Sequence, residues 1–358
     1  MKLYQIVEIA GNGNHAGTKA TADIAEIAEQ IGFTSVKIQM RSTALSKAAK
    51  IQRQIGYLKD WHQACKCIEN EAVVLLQHPF HYPQLTREKT LRKLKEQRHV
   101  KYISLVHDVE KLRGFRYNDY YAREFQMMLE LMDVLIVHND CMAAYFYEQG
   151  VDPDRIVKLD IFDYLQKNHK DSEPVFEREI TVAGNLDTVK CGYIGQLYQL
   201  NPMKVRLFGP NFDEKLASYG NIQYGGNLQP DEIPLRLDRG FGLIWDGSSI
   251  EGCLGEAGQY LRYNNPHKLS LCLSSGIPVV IWNGAAEAGF VEKNGLGLTV
   301  DSLDELPEIM ENLNEEKYNE FIRNIRPVRE RLVNGYYGRT AIQKALELVG
   351  RPAMKSQV

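Results

Sequence analysis

The sequence predicts an α/β protein with two doubly wound, Rossmann-like domains that face each other across a cleft. Three observations predict this fold: the length of the chain, the alternation of strand and helix patterns, and one polar interruption near its middle. A chain of 358 residues is about twice the size of a usual single domain. Short β-rich runs that alternate with helical stretches are typical of parallel sheets covered by helices on both faces.

The first half of the chain carries one such alternating series. Its helical patterns include Ala20 to Ile31 and Arg87 to Gln97. Its strands are predicted at Leu3–Ile9, Val73–Gln77, Tyr102–Val106 and Val134–His138. Because the first run is interrupted by Glu8 and no longer apolar stretch follows it, we expect a first strand there and not a signal peptide.

A polar segment that contains Pro174, residues 165–179, separates this series from a second one. We therefore expect an N-terminal domain over residues 1–168 and a C-terminal domain over 177–339, with a final helix within 340–358 packing back on the first domain. Helices are predicted over Pro266–Ser274 and Leu303–Leu313. The second set of strands is predicted at Ile180–Ala183, Val205–Phe208, Ile222–Tyr224, Gly242–Trp245, Pro278–Trp282 and Gly297–Val300.

Composition and charge exclude several classes of function. The formal net charge is -3, divided at residue 165 into about +1 and -4, so we expect no nucleic-acid partner. The six cysteines are scattered and match no standard zinc spacing, which indicates reduced thiols, a cytoplasmic protein and no metal site. The basic segment Arg87 to Lys101 fits either peripheral contact with the inner face of the plasma membrane or, preferably, a solvated helix face.

The strongest local signal for function is the run Tyr263-Asn264-Asn265-Pro266-His267-Lys268. Asn favours a helix N-cap and Pro suits the first turn, so a helix is predicted to start sharply here. The backbone N–H groups of such a start, with Lys268 beside them, form an anion site that suits a diphosphate. The alternative is a capped helix with a surface lysine, and these residues alone do not decide between the two.

Two further signals lie in the first domain. A glycine-rich stretch from Gly11 to Lys19 follows the first strand, where glycines let the backbone approach a ligand, although a plain loop fits equally well. His107 and Asp108 end a predicted strand at the edge that should face the cleft. Asp108, with His107 as its rival, is our candidate for a base that takes a proton from an acceptor hydroxyl; a turn cap is the alternative.

The second domain offers two more signals, each with a plain structural alternative. Asn185 and Lys190 lie in and after the loop that follows its first strand, where they would contact a ligand or only the turn and water. Asp246 ends the buried strand that begins at Phe241, and it would orient a sugar or cap a turn. The glycine- and tyrosine-containing stretch that follows Asp246 suits a mobile loop over a ligand.

Taken in order along the chain, these motifs resemble the bacterial β-1,6-galactofuranosyltransferases of O-antigen synthesis. The resemblance spans nearly the whole chain. It rests on His107-Asp108, Leu112-Arg113-Gly114, Ile161 to Leu165, Ala183 to Leu186, Phe241 to Gly247 and Asn264 to Lys268. A more distant resemblance, strongest in the second domain, is to streptococcal glucosyltransferases that extend sugars on serine-rich adhesins.

The resemblance implies the glycosyltransferase B fold, a UDP-galactofuranose donor, no obligatory metal and a glycan acceptor, either free or lipid-linked. It implies that Gly17 closes over the donor, that Leu228 flanks the uracil, and that Lys268 binds the phosphates. The distant likeness implies a homo-oligomer. The segment implied to hold UDP consists of Asn265, Pro266, His267, Lys268, Leu269, Ser270 and Leu271.

At two positions the sequence departs from the patterns of related enzymes, and these departures narrow the predicted stereochemistry and donor sugar. Retaining enzymes of this fold commonly have a Glu that bonds ribose at the position of Leu271, and its absence favours an inverting reaction. An Arg expected near Asp187 is missing, which disfavours glucose and leaves Lys190 as a substitute. The alternatives are a UDP-glucose-dependent glucosyltransferase that extends glycoprotein glycans and a non-catalytic partner that binds glycan or peptide.

Overall fold

Two parallel six-stranded sheets organise the protein in a computed structural model, which describes residues 1–9, 16–42, 44, 46–114, 116–167 and 172–350. In the first sheet the spatial order is β2-β1-β3-β4-β5-β6. Its strands β1 to β6 are Leu3–Ile9, Thr34–Gln39, Val73–His78, Lys101–Val106, Val134–Val137 and Ile156–Lys158. The order reverses between β1 and β3, so the carboxyl ends of these two strands open the crevice in which doubly wound sheets bind ligands.

Helices connect the strands of this sheet, and polar caps begin three of them. Ser46, Asn118 and Asn139 each accept a hydrogen bond from a backbone N–H of the first turn that follows. The helices α1 to α6 are Ala16–Ile31, Lys47–Cys67, Arg87–Arg98, Glu110–Arg113, Asp119–Leu131 and Asp140–Glu148.

The second sheet has the same design, with spatial order β12-β11-β10-β7-β8-β9. Its strands β7 to β12 are Val175–Ala183, Lys204–Phe208, Ile222–Tyr224, Arg239–Ile244, Val279–Trp282 and Gly297–Val300. The helices α7 to α12 are Gly255–Gln259, His267–Ser275, Ala288–Asn294, Leu306–Asn312, Glu315–Val333 and Tyr336–Gly350. Here the order reverses between β7 and β10, so the second crevice lies at the ends of those strands.

The last helix, α12, belongs in space to the first sheet. It contacts β4, β5, β6 and α1. The buried carboxylate of Asp163 accepts hydrogen bonds from the first-turn N–H groups of Tyr337, at 3.1 Å, and Gly338, at 2.6 Å. These two hydrogen bonds attach α12 to the chain segment that follows β6, while burial raises the pKa of the Asp163 carboxyl to about 7. Residues 351–358, the end of the predicted final helix, lie outside the described residues.

The predicted fold class is confirmed, and the differences lie at element boundaries. Strand β7 begins at Val175, so the segment 165–179 is not wholly a linker. Helix α1 begins at Ala16, four residues before the predicted start, while residues 10–15 of the glycine-rich stretch lie outside the described residues. The long helices α2 and α11 were not singled out from the sequence, because lysines and glutamines dilute the apolar periodicity of the first and Pro327 interrupts the second.

Replacing Asp163 with Ala is expected to lower the free energy of unfolding by about 2–4 kcal/mol, since two buried N–H donors lose their acceptor. Asp163→Asn keeps one acceptor oxygen and should lose less. Denaturant unfolding measures both. The matched control is Asp213→Ala, which removes an acceptor from a short exposed helical turn at Lys215 and should cost about 1 kcal/mol or less. Equal losses at Asp163 and Asp213 would contradict the attachment of α12 by Asp163.

Candidate functional site

Polar side chains lie at the carboxyl ends of five central strands, three in the first sheet and two in the second. His78 is the last residue of β3, and His107 and His138 directly follow β4 and β5; these three strands are neighbours in the first sheet. Asn185 follows β7 and Asp246 follows β10, on either side of the reversal in the second sheet. Both sets lie at carboxyl ends of strands, where ligands bind in this architecture.

Lys268 lies in the first turn of α8 and is directed at the end of β10. Its Nζ donates to the carbonyl oxygen of Trp245 at 2.7 Å and lies 3.5 Å from a carboxylate oxygen of Asp246. Only 22% of the side chain is exposed. Lys268 is therefore a sheltered cation beside the first N–H groups of α8, and the structure does not support its interpretation as a solvated surface lysine.

The start of α8 differs from the prediction in its cap. The helix begins at His267 with Pro266 at the N-cap position, and Pro266 makes no side-chain cap hydrogen bond. Asn265, predicted as a cap, instead bonds to the other domain. Its backbone N–H donates to Nδ1 of His138 at 2.9 Å, and its side-chain amide donates to the carbonyl of Asp160 at 3.0 Å.

The bond from Asn265 and a second bond to Val106 fix the tautomer of the His138 ring. Its Nε2 lies 2.9 Å from the carbonyl of Val106, so Nε2 carries the proton and Nδ1 accepts from Asn265. Burial lowers the pKa of His138 to about 4, which keeps the ring neutral. Asp160 holds a φ of 71°, a backbone conformation that is unfavourable for a side-chain-bearing residue, and its carbonyl accepts from Asn265.

A second contact between the domains lies beside the first. Asn139 donates through Nδ2 to the carboxyl of Glu287 at 2.8 Å and to the carbonyl of Tyr263 at 3.1 Å. Glu287 is buried, and this desolvation raises its pKa to about 8. A neutral carboxyl is thus retained between the domains at neutral pH.

His267 also spans the domain boundary. Its ring stacks on Tyr164 with centroids 4.9 Å apart, and its Nε2 lies 3.2 Å from the carbonyl of Asp163. Burial lowers the pKa of His267 to about 4, with the nearby Lys19 ammonium acting in the same direction. The His267 ring therefore contributes packing and a hydrogen bond, and no positive charge, at the helix start.

Asp108 faces the cleft from the turn after β4. Its carboxylate lies 2.8 Å from Nη1 of Arg113, and Glu110 shares the same guanidinium at 3.3 Å. The hydroxyl of Tyr260, from the second domain, accepts from the backbone N–H of Val109 at 3.0 Å and also bonds the Asp108 carboxylate. Desolvation raises the pKa of Asp108 to about 6 against the opposing effect of Arg113, so the group is chiefly ionised at pH 7.

His107 is engaged elsewhere, although it is adjacent in sequence. Its Nε2 lies 2.7 Å from the side-chain oxygen of Gln77, and its ring stacks on Phe162 at 5.2 Å. Burial lowers the pKa of His107 to about 3. So weak a base is poorly matched to proton abstraction near neutral pH, and of the two candidates the geometry favours Asp108.

The remaining predicted site residues differ in how accessible they are. Leu269, Ser270 and Leu271 are buried within α8, and the hydroxyl of Ser270 has no hydrogen-bond partner in the described part of the chain. Leu228 is partly buried in the loop before Pro230. Gly17 lies in the first turn of α1, which is a helix and not the predicted loop.

Asn185 and Lys190 are both exposed after β7. The side-chain oxygen of Asn185 accepts from the Asp187 backbone N–H at 3.3 Å and from the Asn211 amide at 2.7 Å, as the turn interpretation expects. Lys190 lies in the turn that follows. A Cβ on residue 209 would lie only 1.7 Å from the carbonyl oxygen of Gly184, so position 209 requires a glycine. This close approach brings the ends of β7 and β8 together.

Sequence reasoning missed two features of the cleft. The first is that β3, β4 and β5 each run directly into or up to a histidine followed by Pro, Asp or Asn, a repeated signal that was visible in the sequence. The second is Tyr260 as the partner of Asp108 and Val109. It had no sequence signal, because 151 residues separate Val109 from Tyr260.

Comparison with known proteins assigns this architecture to a family. The model of the glucosyltransferase 3-like N-terminal domain matches residues 3–161, and that of the C-terminal domain matches residues 180–345. The chain belongs to the glucosyltransferase 3-like family. Beta-1,6-galactofuranosyltransferase WbbI of Escherichia coli (strain K12) is 30% identical over 353 residues, covering 96% of this chain and 98% of that protein. Glucosyltransferase 3 of Streptococcus gordonii is 25% identical over 338 residues, covering 94% and 95%.

Solved structures agree on the fold. The Anabaena protein Alr3699/HepE, crystallised with UDP and glucose, aligns with a TM-score of 0.61 at 12% identity, covering 96% of this chain and 99% of that one. A glycosyltransferase from Rickettsia africae aligns with a TM-score of 0.62 at 14% identity, covering 98% and 100%. The protein is thus a glycosyltransferase of the B fold, and the predicted family resemblance is confirmed.

Two searches of the described residues concern other classes of site. No group of three or more His, Cys, Asp or Glu side chains in the described ranges is arranged to hold a metal ion. No helix within those ranges is long and apolar enough to cross a membrane.

His138 is expected to stay neutral from pH 7 down to about pH 5, because protonation would place a donor at Nδ1 opposite the Asn265 N–H. Its lowered pKa means that the stability contributed by the neutral ring is fully present above the unfolded-state pKa of about 6.5, and that the bond from Asn265 is lost as the pH falls through about 4. The ¹⁵N chemical shifts of the ring, assigned by comparison with His138→Gln, measure this. A midpoint near 6.5 would show that the ring is solvated and that the bond between the domains is absent.

Proposed function

We propose that the protein transfers galactofuranose from UDP-galactofuranose to a hydroxyl of a glycan acceptor, with inversion, in the synthesis of a cell-surface polysaccharide. The observation that carries this proposal is the pairing of two groups across one cleft. Asp108 is an ionised carboxylate with a pKa near neutrality, and Lys268 is a sheltered cation at a helix start.

The donor side is built for a diphosphate. Lys268 and the first N–H groups of α8 combine a full charge with the positive end of a helix dipole. Negative charge on the leaving UDP grows as the bond from the sugar C1 to the phosphate oxygen breaks. Groups fixed in place before the reaction stabilise that charge more in the transition state than in the ground state.

The acceptor side supplies the base. In an inverting transfer, the Asp108 carboxylate takes the proton of the acceptor hydroxyl while that oxygen attacks C1 on the face opposite UDP. The new C1–O bond forms as the bond to UDP breaks, and the proton stays on Asp108. A pKa of about 6 leaves the carboxylate ionised at pH 7 yet close enough in basicity to receive a proton.

The choice of sugar rests on sequence likeness. A relative that is 30% identical over nearly the whole of both chains is named as a galactofuranosyltransferase. A second candidate is glucose, because the family models and the Streptococcus gordonii relative carry the name glucosyltransferase 3. A buried Leu271 at the position of the ribose-binding Glu of common retaining enzymes supports inversion with either sugar.

The test of the donor is UDP release from UDP-galactofuranose, compared with UDP-glucose, in the presence of a panel of glucoside acceptors. We expect turnover with UDP-galactofuranose and a product whose anomeric proton and carbon signals show the β configuration. Turnover of UDP-glucose alone would replace the donor assignment, and an α product would overturn inversion.

A calorimetric titration with UDP separates a catalytic member from a non-catalytic binding partner. The catalytic assignment requires UDP binding that Lys268→Ala weakens by roughly 10- to 100-fold, as for a lost charge-assisted hydrogen bond. Lys293→Ala, an exposed lysine on α9, is the matched control. Unchanged affinity in Lys268→Ala would remove Lys268 from the phosphate site.

Asp108→Asn is expected to lower kcat by about 10²- to 10⁴-fold while leaving UDP affinity intact, since only the base is lost. Asp154→Asn, an exposed site in the same domain, should have wild-type turnover. Full turnover in Asp108→Asn would exclude Asp108 as the base.

Tyr260→Phe tests the same base through its pH dependence. Arg113, Arg116 and the Tyr260 hydroxyl lower the pKa of the Asp108 carboxyl, and Glu110 raises it. Removal of the Tyr260 hydroxyl should therefore move the acidic limb of the kcat/KM profile to higher pH. A profile that keeps its wild-type position at reduced height would assign Tyr260 a purely structural role.

A further inference from the structure

Helix α2 presents an apolar face to solvent beside the mouth of the cleft. Ile51, Ile55 and Leu58 occur at i, i+4 and i+7, and they are 62%, 53% and 51% exposed. The opposite side of the same helix is buried through Tyr57 and Trp61. A helix packed in a domain normally leaves polar residues outside, so three large apolar side chains in one exposed row indicate a surface that binds something.

A neighbouring loop extends this surface. Gln54 donates to the carbonyl of Pro83 at 2.8 Å and accepts from the backbone N–H of Leu85 at 3.0 Å, which fixes the loop against α2. Leu85 and Tyr82 are 76% and 46% exposed. We refer to Ile51, Ile55, Leu58, Tyr82 and Leu85 together as the α2 apolar face.

The position of the α2 apolar face relates it to the cleft. The loop that carries Tyr82 and Leu85 follows β3, and α2 begins after β2, so both start from the strand ends that face the second domain. Between these exposed residues, Gln84 is buried and bonds the indole of Trp61 at 2.6 Å. A partner on this face would therefore lie beside the acceptor side of the site.

Positive charge surrounds the α2 apolar face. Lys47, Lys50, Lys59 and Lys66 are exposed on α2, and within the described ranges none of these four is ion-paired. The one acid of the helix, Asp60, is neutralised by Arg41 at 2.7 Å. An apolar row flanked by lysines is the pattern of a helix that lies in the interface of an anionic lipid surface.

The neighbouring basic segment lacks this pattern. In α3 the apolar Leu91 and Leu94 are fully buried, and Lys95 is paired with Asp133 at 2.8 Å. Arg92 is held by Glu88 and Glu130. These contacts favour the solvated-face interpretation of Arg87 to Lys101, and the candidate membrane contact moves to α2.

We propose that the α2 apolar face binds an anionic lipid surface, with its apolar side chains in the interface and its lysines on the headgroups. A second copy of the chain is the rival occupant. In a two-fold symmetric dimer the α2 apolar face would pack against the same face of the second copy. The four unpaired lysines of one copy would then repel those of the other. Charge thus favours the lipid surface. That this contact brings a lipid-linked acceptor to the cleft rests on the proposed function, but lipid binding itself does not.

The test is co-sedimentation of the full chain with phosphatidylcholine vesicles and with vesicles in which phosphatidylglycerol replaces part of that lipid, without any nucleotide sugar. We expect binding to the anionic vesicles only, weakened by high salt. The triple variant Lys47→Gln, Lys50→Gln, Lys59→Gln should bind on the order of 100-fold more weakly. Its control is Lys204→Gln, Lys215→Gln, Lys293→Gln, which makes the same charge change on exposed lysines of the second domain.

A second pair of variants tests the contribution of the apolar side chains to vesicle binding. Ile55→Gln should weaken vesicle binding about 10-fold, while Val175→Gln, 58% exposed in the second domain, should leave it unchanged. Equal binding by the two lysine variants would overturn the proposal. The proposal would also be overturned if the wild-type chain did not bind vesicles and instead formed an oligomer that Ile55→Gln dissociates. UDP release with a soluble acceptor is measured on every variant. It separates failure of the lipid-binding proposal from failure of the donor assignment.

Discussion

The hydrogen bond from the Asn265 backbone to Nδ1 of His138 is the contact on which the cleft depends. It joins the loop before α8 to the end of β5, and it requires a neutral ring whose other nitrogen bonds Val106. The same loop leads directly into Lys268. The bond that positions the domains therefore also positions the cation, and a change in domain orientation would carry the start of α8 with it.

Burial near this contact keeps three histidines and one glutamate neutral. His107, His138 and His267 have lowered pKa values, and Glu287 has a raised one, so these groups are neutral around pH 7. Charge is kept where Arg113 compensates Asp108 and where Lys268 faces the end of β10. Charge at the cleft is thereby concentrated in two clusters, Asp108 with Arg113 and Glu110, and Lys268 with Asp246.

The interdomain tyrosine adds a link between closure and chemistry. Tyr260 comes from the segment after β10, yet its hydroxyl bonds Val109 and Asp108 in the first domain. The same segment packs against the turn after α4, where a Cβ on Gly114 would lie 2.6 Å from the carboxylate of Glu256; the φ of 72° at Gly114 itself favours glycine. The candidate base is thus completed only when the domains are together.

Local physics explains what the sequence by itself determined. Strand runs bounded by turns, the alternation of β and helical patterns and a polar break were enough for two doubly wound sheets, because parallel strands buried on both faces must be apolar. The positions of Asp108, Asp246 and Lys268 at strand or helix ends followed from the same patterns.

Only the tertiary structure decided that Asn265 bonds the first domain instead of capping the helix, and that His107 bonds Gln77 and stacks on Phe162. It alone brought Tyr260 to Asp108. These contacts join residues 30 to 151 positions apart, and their partners depend on how the two sheets pack.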